Sequence, residues 1–244
     1  MKQGLFRITE NVKLTDTVMR MRLEGDISDI TAPGQFINIK LDGLYLRRPI
    51  SVYDRDENGV TIVYKVVGKG TEQMRNMTDG TLDVLTGLGN GYDTSLAGDT
   101  PLLIGGGVGV PPLYMLAKQL ISEGKSVTVI LGFNTKQEIF CEQEFKELGA
   151  RVLVTTVDGS VGIKGFVTDA MKDLTYSHFY TCGPEPMLKA VYRATTTDGQ
   201  FSFEERMGCG FGACMGCSCK TITGYKRICK DGPVLRKEEI LWEN

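Results

Sequence analysis

The hydrophobic rhythm of the chain changes near residue 98. Before that point the apolar runs are short, and they alternate or are β-branched. Phe36-Ile-Asn-Ile-Lys-Leu41 and Val60-Thr-Ile-Val-Tyr-Lys-Val-Val67 are examples, and turns containing Gly, Asp or Asn separate them. This texture predicts a small antiparallel barrel over residues 1–97, with one helix at Thr71–Met77 between Gly70 and Gly80. After residue 98, buried-type strands alternate with helical segments. Strands are expected at Pro101–Ile104, Val127–Leu131, Arg151–Thr156 and His178–Thr181, and helices at Pro111–Glu123, Glu138–Leu148, Gly165–Asp173 and Pro186–Thr195. Alternation of this kind predicts βαβ units around a parallel sheet, so residues 98–199 form an α/β domain. Residues 200–244 form a third, cysteine-rich module. The expected fold class is therefore an antiparallel β-barrel plus an α/β domain with a C-terminal cysteine module.

Composition narrows the chemistry. A length of 244 residues with 41% hydrophobic positions suits one large or two small globular units with an appendage. A net charge of −2 with no basic block offers nucleic acid no electrostatic footprint. The most apolar stretch, Leu102 to Ala117, is interrupted by glycines and by Pro111-Pro112, which argues against a membrane span. No apolar run follows Met1-Lys2, and the seven cysteines are an odd number, so a reducing cytoplasm is expected. The single histidine, His178, sits in an apolar-aromatic run and reads as a core residue.

The cysteines are the strongest chemical signal. Cys209-x4-Cys214-x2-Cys217, closed by Cys229, has the spacing of the plant-type ferredoxin loop, in which four thiolates hold a [2Fe–2S] cluster. Gly208, Gly210, Gly212 and Gly216 let the backbone wrap so that N–H groups turn toward sulfur. The competing reading is structural zinc, whose four-cysteine sites usually pair two C-x2-C knuckles; only Cys214-x2-Cys217 forms one here. Cys219 reads as a buried bystander.

Four further motifs lie at strand ends. Arg47-Arg48-Pro49-Ile50-Ser51 can present a guanidinium to phosphate and a backbone edge to a flat ring. Gly68-Lys-Gly70-Thr71 opens a helix, a natural pyrophosphate seat, with a capped turn by Thr71 as the bland reading. Gly105-Gly106-Gly107-Val-Gly109-Val-Pro-Pro112 allows close approach to a nucleotide, although it is not the G-x-G-x-x-G fingerprint. Thr181-Cys182-Gly-Pro puts a thiol at the sheet edge where ligands of open α/β sheets bind. Asp158, after the third α/β strand, could accept from a ribose hydroxyl and repel a 2′-phosphate, or could simply cap its turn.

The order Arg-Pro-x-Ser, Gly-x-Gly-Thr, Gly-Gly-x-Gly-x-x-Pro, Cys-Gly-Pro resembles the ferredoxin–NADP reductase superfamily over residues 1 to about 200. With Gly-Ala-Cys-Met-Gly-Cys added, the whole chain resembles the electron transfer subunits of class B, NAD-linked dihydroorotate dehydrogenases. The resemblance implies FAD on the barrel, touched by Arg48, Pro49, Ile50 and Ser51, then Val63, Tyr64, Lys65, Gly70 and Thr71. It implies NAD on the α/β domain and Cys209, Cys214, Cys217 and Cys229 as [2Fe–2S] ligands; Cys182, from its place at the sheet edge, is the candidate catalytic residue. It further implies a partner, an FMN-containing catalytic subunit, in a heterotetramer of two of each chain, working in pyrimidine biosynthesis. Alternatives are a flavin and iron–sulfur subunit of another NAD(P)H:ferredoxin oxidoreductase or of a sulfhydrogenase, and a zinc-stabilised regulatory flavoprotein.

Overall fold

The computed structural model describes residues 1–242. Strands β1 (Lys2–Lys13), β2 (Val18–Glu24), β3 (Phe36–Lys40), β4 (Arg48–Asp56), β5 (Gly59–Lys65) and β6 (Thr81–Leu88) close an antiparallel barrel in the order β1-β2-β5-β4-β3-β6. Alternation explains the closure. Phe6, Ile8, Met21, Leu23, Ile37, Ile39, Val60, Ile62 and Val84 point inward and are buried together. Helix α1 (Lys69–Arg75) lies between β5 and β6. It begins two residues before Thr71, so Thr71 is not its cap. The Thr71 hydroxyl instead accepts from the Val67 and Gly68 N–H groups at 2.9 and 3.2 Å and donates to the Gly68 carbonyl at 3.1 Å, closing the turn that enters the helix.

The second unit runs β7 (Leu102–Gly106), α2 (Pro112–Ser122), β8 (Thr128–Phe133), α3 (Glu142–Glu147), β9 (Arg151–Thr156), β10 (Ile163–Lys164), α4 (Val167–Met171), β11 (Phe179–Cys182), α5 (Glu185–Ala194) and β12 (Gly199–Ser202). Leu102, Leu103 and Ile104 of the central strand are all buried, as a strand covered on both faces requires. One face packs Leu103, Val129 and Leu131 against Leu113, Leu116 and Leu120 of α2 and Phe145 of α3. The other packs Leu102, Ile104 and Ile130 against Val167, Leu188 and Val191 of α4 and α5.

Two expectations change. The helix predicted over 138–148 is broken. A 3-10 turn at Lys136–Glu138 is followed by extended Ile139 and by Cys141 at φ 63°, and only Glu142–Glu147 is helical. Ile139-Phe140-Cys141 is an apolar triplet that no single helix face can bury, and Phe140 packs edge-on against Phe133 with centroids 5.3 Å apart. The cysteine module is also less separate than expected. After the hairpin β13 (Ser218–Thr221) and β14 (Gly224–Arg227), strand β15 (Val234–Arg236) returns to pair antiparallel with β12. The sheet order is therefore β10-β9-β8-β7-β11-β12-β15. His178 is a core residue, 5% exposed. No helix among the described residues is long and apolar enough to cross a membrane.

Candidate functional site

The carboxyl ends of β7, β8, β9 and β11 open onto a groove of about 590 Å³. Gly106, Gly107 and Gly109 form its floor, Asn134, Glu138 and Thr155 one end, and Gly183, Pro184 and Glu204 the other. The glycines are required by space. A Cβ on Gly109 would stand 2.2 Å from the Cys182 carbonyl oxygen, and Gly107 has φ +53° with nothing within 4 Å, open toward the groove. Gly105 is different: it packs against Val110 and Leu113 below the groove. Thr155 fits a ligand site in another way. Its hydroxyl is buried without a hydrogen-bond partner, a state that costs about 1–3 kcal/mol unless something in the groove pairs with it.

Two expected groove residues behave otherwise. Asp158 stands outside the lining: its Oδ1 accepts from the Ser160 N–H at 2.9 Å and hydroxyl at 2.6 Å, the turn-capping role. Those bonds, the hydroxyl's first, lower its pKa. The acid that does line the groove is Glu138, whose Oε2 accepts from the Asn134 N–H and side-chain amide at 3.2 and 2.9 Å. Cys182 lies one residue short of the groove wall, behind Gly109. Burial pushes its thiol up to about 12, so at neutral pH it is a thiol, able to donate weakly and to pack, and not a thiolate nucleophile. Glu138, Thr155 and Glu204 carried no motif that would single them out in sequence.

On the barrel, β4 starts with Arg48, and the motif splits into two arginines with separate tasks. Arg47 is committed to the fold: its guanidinium donates to the Asp83 carboxylate at 2.9 Å and to the carbonyls of Asp83 and Asn38 at 3.0 and 3.2 Å. Arg48 donates to the carbonyls of Leu46 and Arg47, and its guanidinium lies across α1 at Gly70, where a Cβ would come within 2.2 Å of Nε. That leaves a half-buried cation beside the first turn of α1, a donor set suited to a diphosphate. Pro49, Ile50 and Ser51 are half-buried along the same strand. Val63 and Tyr64 are 4% and 2% exposed, so they can offer a ligand only their backbone; the Tyr64 hydroxyl donates to Asn11 inside the molecule. Lys65 is exposed and also lines the groove, so the edge of β5 is where barrel and groove meet.

The cysteine loop holds its four thiols as two pairs. Cys209 and Cys214 share one set of contacts: the Cys209 N–H lies 3.5 Å from Cys214 Sγ, the Gly216 N–H 3.5 Å from the same sulfur, and the Ala213 N–H 3.3 Å from Cys209 Sγ. Cys217 and Cys229 form the other pair, with the Cys229 N–H 3.4 Å from Cys217 Sγ. Among the described residues no three His, Cys, Asp or Glu side chains gather as a single-ion site would need. Two pairs with backbone N–H groups aimed at sulfur fit a two-iron cluster, which takes two thiolates per iron, better than tetrahedral zinc. Burial raises the Cys209 thiol, but N–H groups of Phe211, Cys214 and Ala213 outweigh it and bring the value down to about 6. Burial, and then Cys217, push Cys229 up to about 12. Cys219 lies on β13 and takes no part in either set of contacts; it is half-buried, with its thiol raised by burial.

Comparison with known proteins agrees with this division. Residues 204–241 match the family described as the iron–sulfur cluster binding domain of dihydroorotate dehydrogenase B, and residues 103–193 match the oxidoreductase NAD-binding domain. The electron transfer subunit of dihydroorotate dehydrogenase B (NAD(+)) from Fusobacterium nucleatum is 48% identical over 96% of each chain. That of a Geobacillus strain is 42% identical over 99% of each. A solved chain of an NADH-dependent reduced ferredoxin–NADP oxidoreductase superposes with a TM-score of 0.88 at 34% identity, covering 98% of this chain and 90% of its own. A ferredoxin–NADP+ reductase from Neisseria gonorrhoeae, solved with FAD and NADP bound, shares the fold at a TM-score of 0.70 and 16% identity, over 80% of this chain and 90% of its own. Fold, cysteine module and near-full-length identity converge: the chain belongs to the family of electron transfer subunits of NAD-dependent dihydroorotate dehydrogenase B.

Proposed function

We propose that this chain carries electrons from an FMN-bearing dihydroorotate dehydrogenase catalytic subunit, through a [2Fe–2S] cluster held by Cys209, Cys214, Cys217 and Cys229, to FAD on β4 and then to NAD in the groove. The observation that carries the order is the shared position of β4 and β5. Lys65 at the end of β5 lines the groove, while Asn38 of β3, paired across to β4, touches the cysteine loop at the Cys209 carbonyl, 3.3 Å away. A ligand along β4 therefore lies between the two other sites. A bound flavin supplies the exchange between one hydride and two single electrons, and the cluster the single-electron relay.

The residues do the rest. Arg48 and the first turn of α1 hold a diphosphate; Gly106, Gly107 and Gly109 admit the dinucleotide; Glu138 accepts from a ribose hydroxyl. Glu204 borders the end of the groove nearest the cysteine module, and the neutral Cys182 packs behind its wall at Gly109. A complex of two chains of each kind, working in the cytoplasm, completes the reading. The chain purified with its partner and mixed anaerobically with NADH should bleach the flavin bands and develop the EPR signal of a reduced [2Fe–2S] centre, and dihydroorotate should do the same from the other side. Reduction by NADH that stops at the flavin while dihydroorotate reduces nothing would defeat the proposal. Turnover with ferredoxin in place of dihydroorotate would favour the ferredoxin oxidoreductase reading, to which the 34% identical solved chain lends support.

A further inference from the structure

The barrel residue that meets the cysteine loop carries an unexplained group. Asn38 is 1% exposed, in the middle of β3. Its neighbours Ile37 and Ile39 fill the barrel, so Asn38 points outward beside Phe36, which packs in the same apolar cluster as Cys217 and Cys229. Its side-chain N–H donates to the Cys209 carbonyl at 3.3 Å. The next residue, Gly210, has φ +79°, and a Cβ there would stand 2.2 Å from the Asn38 amide nitrogen. Arg47 holds the Asn38 backbone carbonyl at 3.2 Å, so the strand cannot drift. The other half of the amide, Oδ1, is buried with no hydrogen-bond partner. Buried acceptors are rarely left so in native proteins, and each one calls for an explanation, a redox or catalytic role among them. Across the ladder from Asn38 is Pro49, on the same outer face and in the stretch Arg48–Ser51.

We propose that Asn38 is a positioning residue that joins the two redox sites, its N–H fixing the Cys209 peptide of the cysteine loop and its Oδ1 accepting a hydrogen bond from the flavin seated along β4. The inference rests on the flavin seat proposed above. It explains why a buried polar residue stands between Ile37 and Ile39, and why the loop residue against it is glycine.

Two substitutions separate the halves of the amide. Asn38→Leu has nearly the same shape and removes both donor and acceptor; Asn38→Asp keeps an acceptor and removes the donor. In the complex with its catalytic partner, Asn38→Leu should weaken FAD retention about tenfold, read by flavin release on dilution, and shift the cluster's midpoint potential in an EPR redox titration. Asn38→Asp should hold FAD within about threefold of wild type while lowering the cluster potential, because a carboxylate replaces an N–H beside the Cys209 peptide. Wild-type FAD affinity in Asn38→Leu would overturn the flavin contact, and an unmoved potential in both variants would overturn the link to the cluster. If Asn38→Leu fails to assemble, equal loss of FAD in Asn38→Asp overturns the proposal. A wild-type complex that holds no FAD would instead refute the flavin seat itself.

Discussion

Cys214 is the most exposed of the four paired cysteines and takes two N–H contacts, so its loss should be the cleanest test of the cluster. Cys214→Ser is expected to abolish the reduced-cluster EPR signal while FAD stays bound, and Cys219→Ser to leave that signal intact. Arg48 has no packing duty comparable with that of Arg47, so Arg48→Ala should cost FAD binding about tenfold to a hundredfold through loss of one charge-assisted contact, with thermal stability little changed. Retention of stoichiometric FAD after exhaustive dialysis would count against that. On the proposed reading, discrimination between NAD and NADP rests with Glu138, which lines the groove, rather than with Asp158: Glu138→Gln should raise the relative kcat/KM for NADP by about tenfold, near 1.4 kcal/mol, and Asp158→Ala should leave the ratio within about twofold. Arg48 and the four paired cysteines stood out in the sequence because each belongs to a motif with fixed spacing. Glu138 did not, since sequence periodicity assigned it to a helix that Phe140 and Cys141 in fact interrupt.

At the scale of elements, the central strands were readable as apolar runs, and their edges were not. Gly199–Ser202 and Val234–Arg236 are too short to show a period, and their pairing spans about thirty intervening residues, so only tertiary contact reveals them. That edge also carries the chain's one histidine. His178, just before β11, takes a hydrogen bond at 3.2 Å from the Gln200 side chain on β12, with the ring nitrogen as acceptor. Burial lowers its pKa from the ordinary 6.5, against the opposing pull of Asp198 and Asp93 and with help from Arg236. A base with a depressed folded pKa stabilises fully above 6.5, and that contribution is lost as pH falls from there through the folded value. Thermal midpoints measured between pH 7.5 and 5 should therefore fall, and His178→Gln should flatten the part of the slope below 6.5. An identical slope in that variant would assign the acid sensitivity elsewhere.

At the scale of the whole molecule, one residue ties three parts together. Asn90, in the connection after the barrel, receives at its side-chain oxygen the Val234 N–H at 3.1 Å, donates from its amide to the Val234 carbonyl at 2.8 Å, and gives its own N–H to the Gly232 carbonyl at 2.7 Å. Barrel, cysteine module and parallel sheet thus share a knot, and Tyr53 of β4 stacks on Tyr114 of α2 at 4.3 Å to join the barrel to the sheet a second time. Asn90→Ala should lower stability by about 1–3 kcal/mol and speed amide exchange in β6 and β15 together; exchange confined to one of them would argue against a shared tie. The return of β15 to the sheet has a kinetic meaning as well. Both stems of the module, β12 and β15, are paired in the sheet beside β11, the strand that ends at the groove, so one hydrogen-bonded scaffold spaces the three proposed seats. Hopping of an electron weakens steeply with gap, so on the proposed reading a scaffold that fixes these spacings sets the internal hops at folding. The entry and departure of the dinucleotide then become the steps expected to wait for motion.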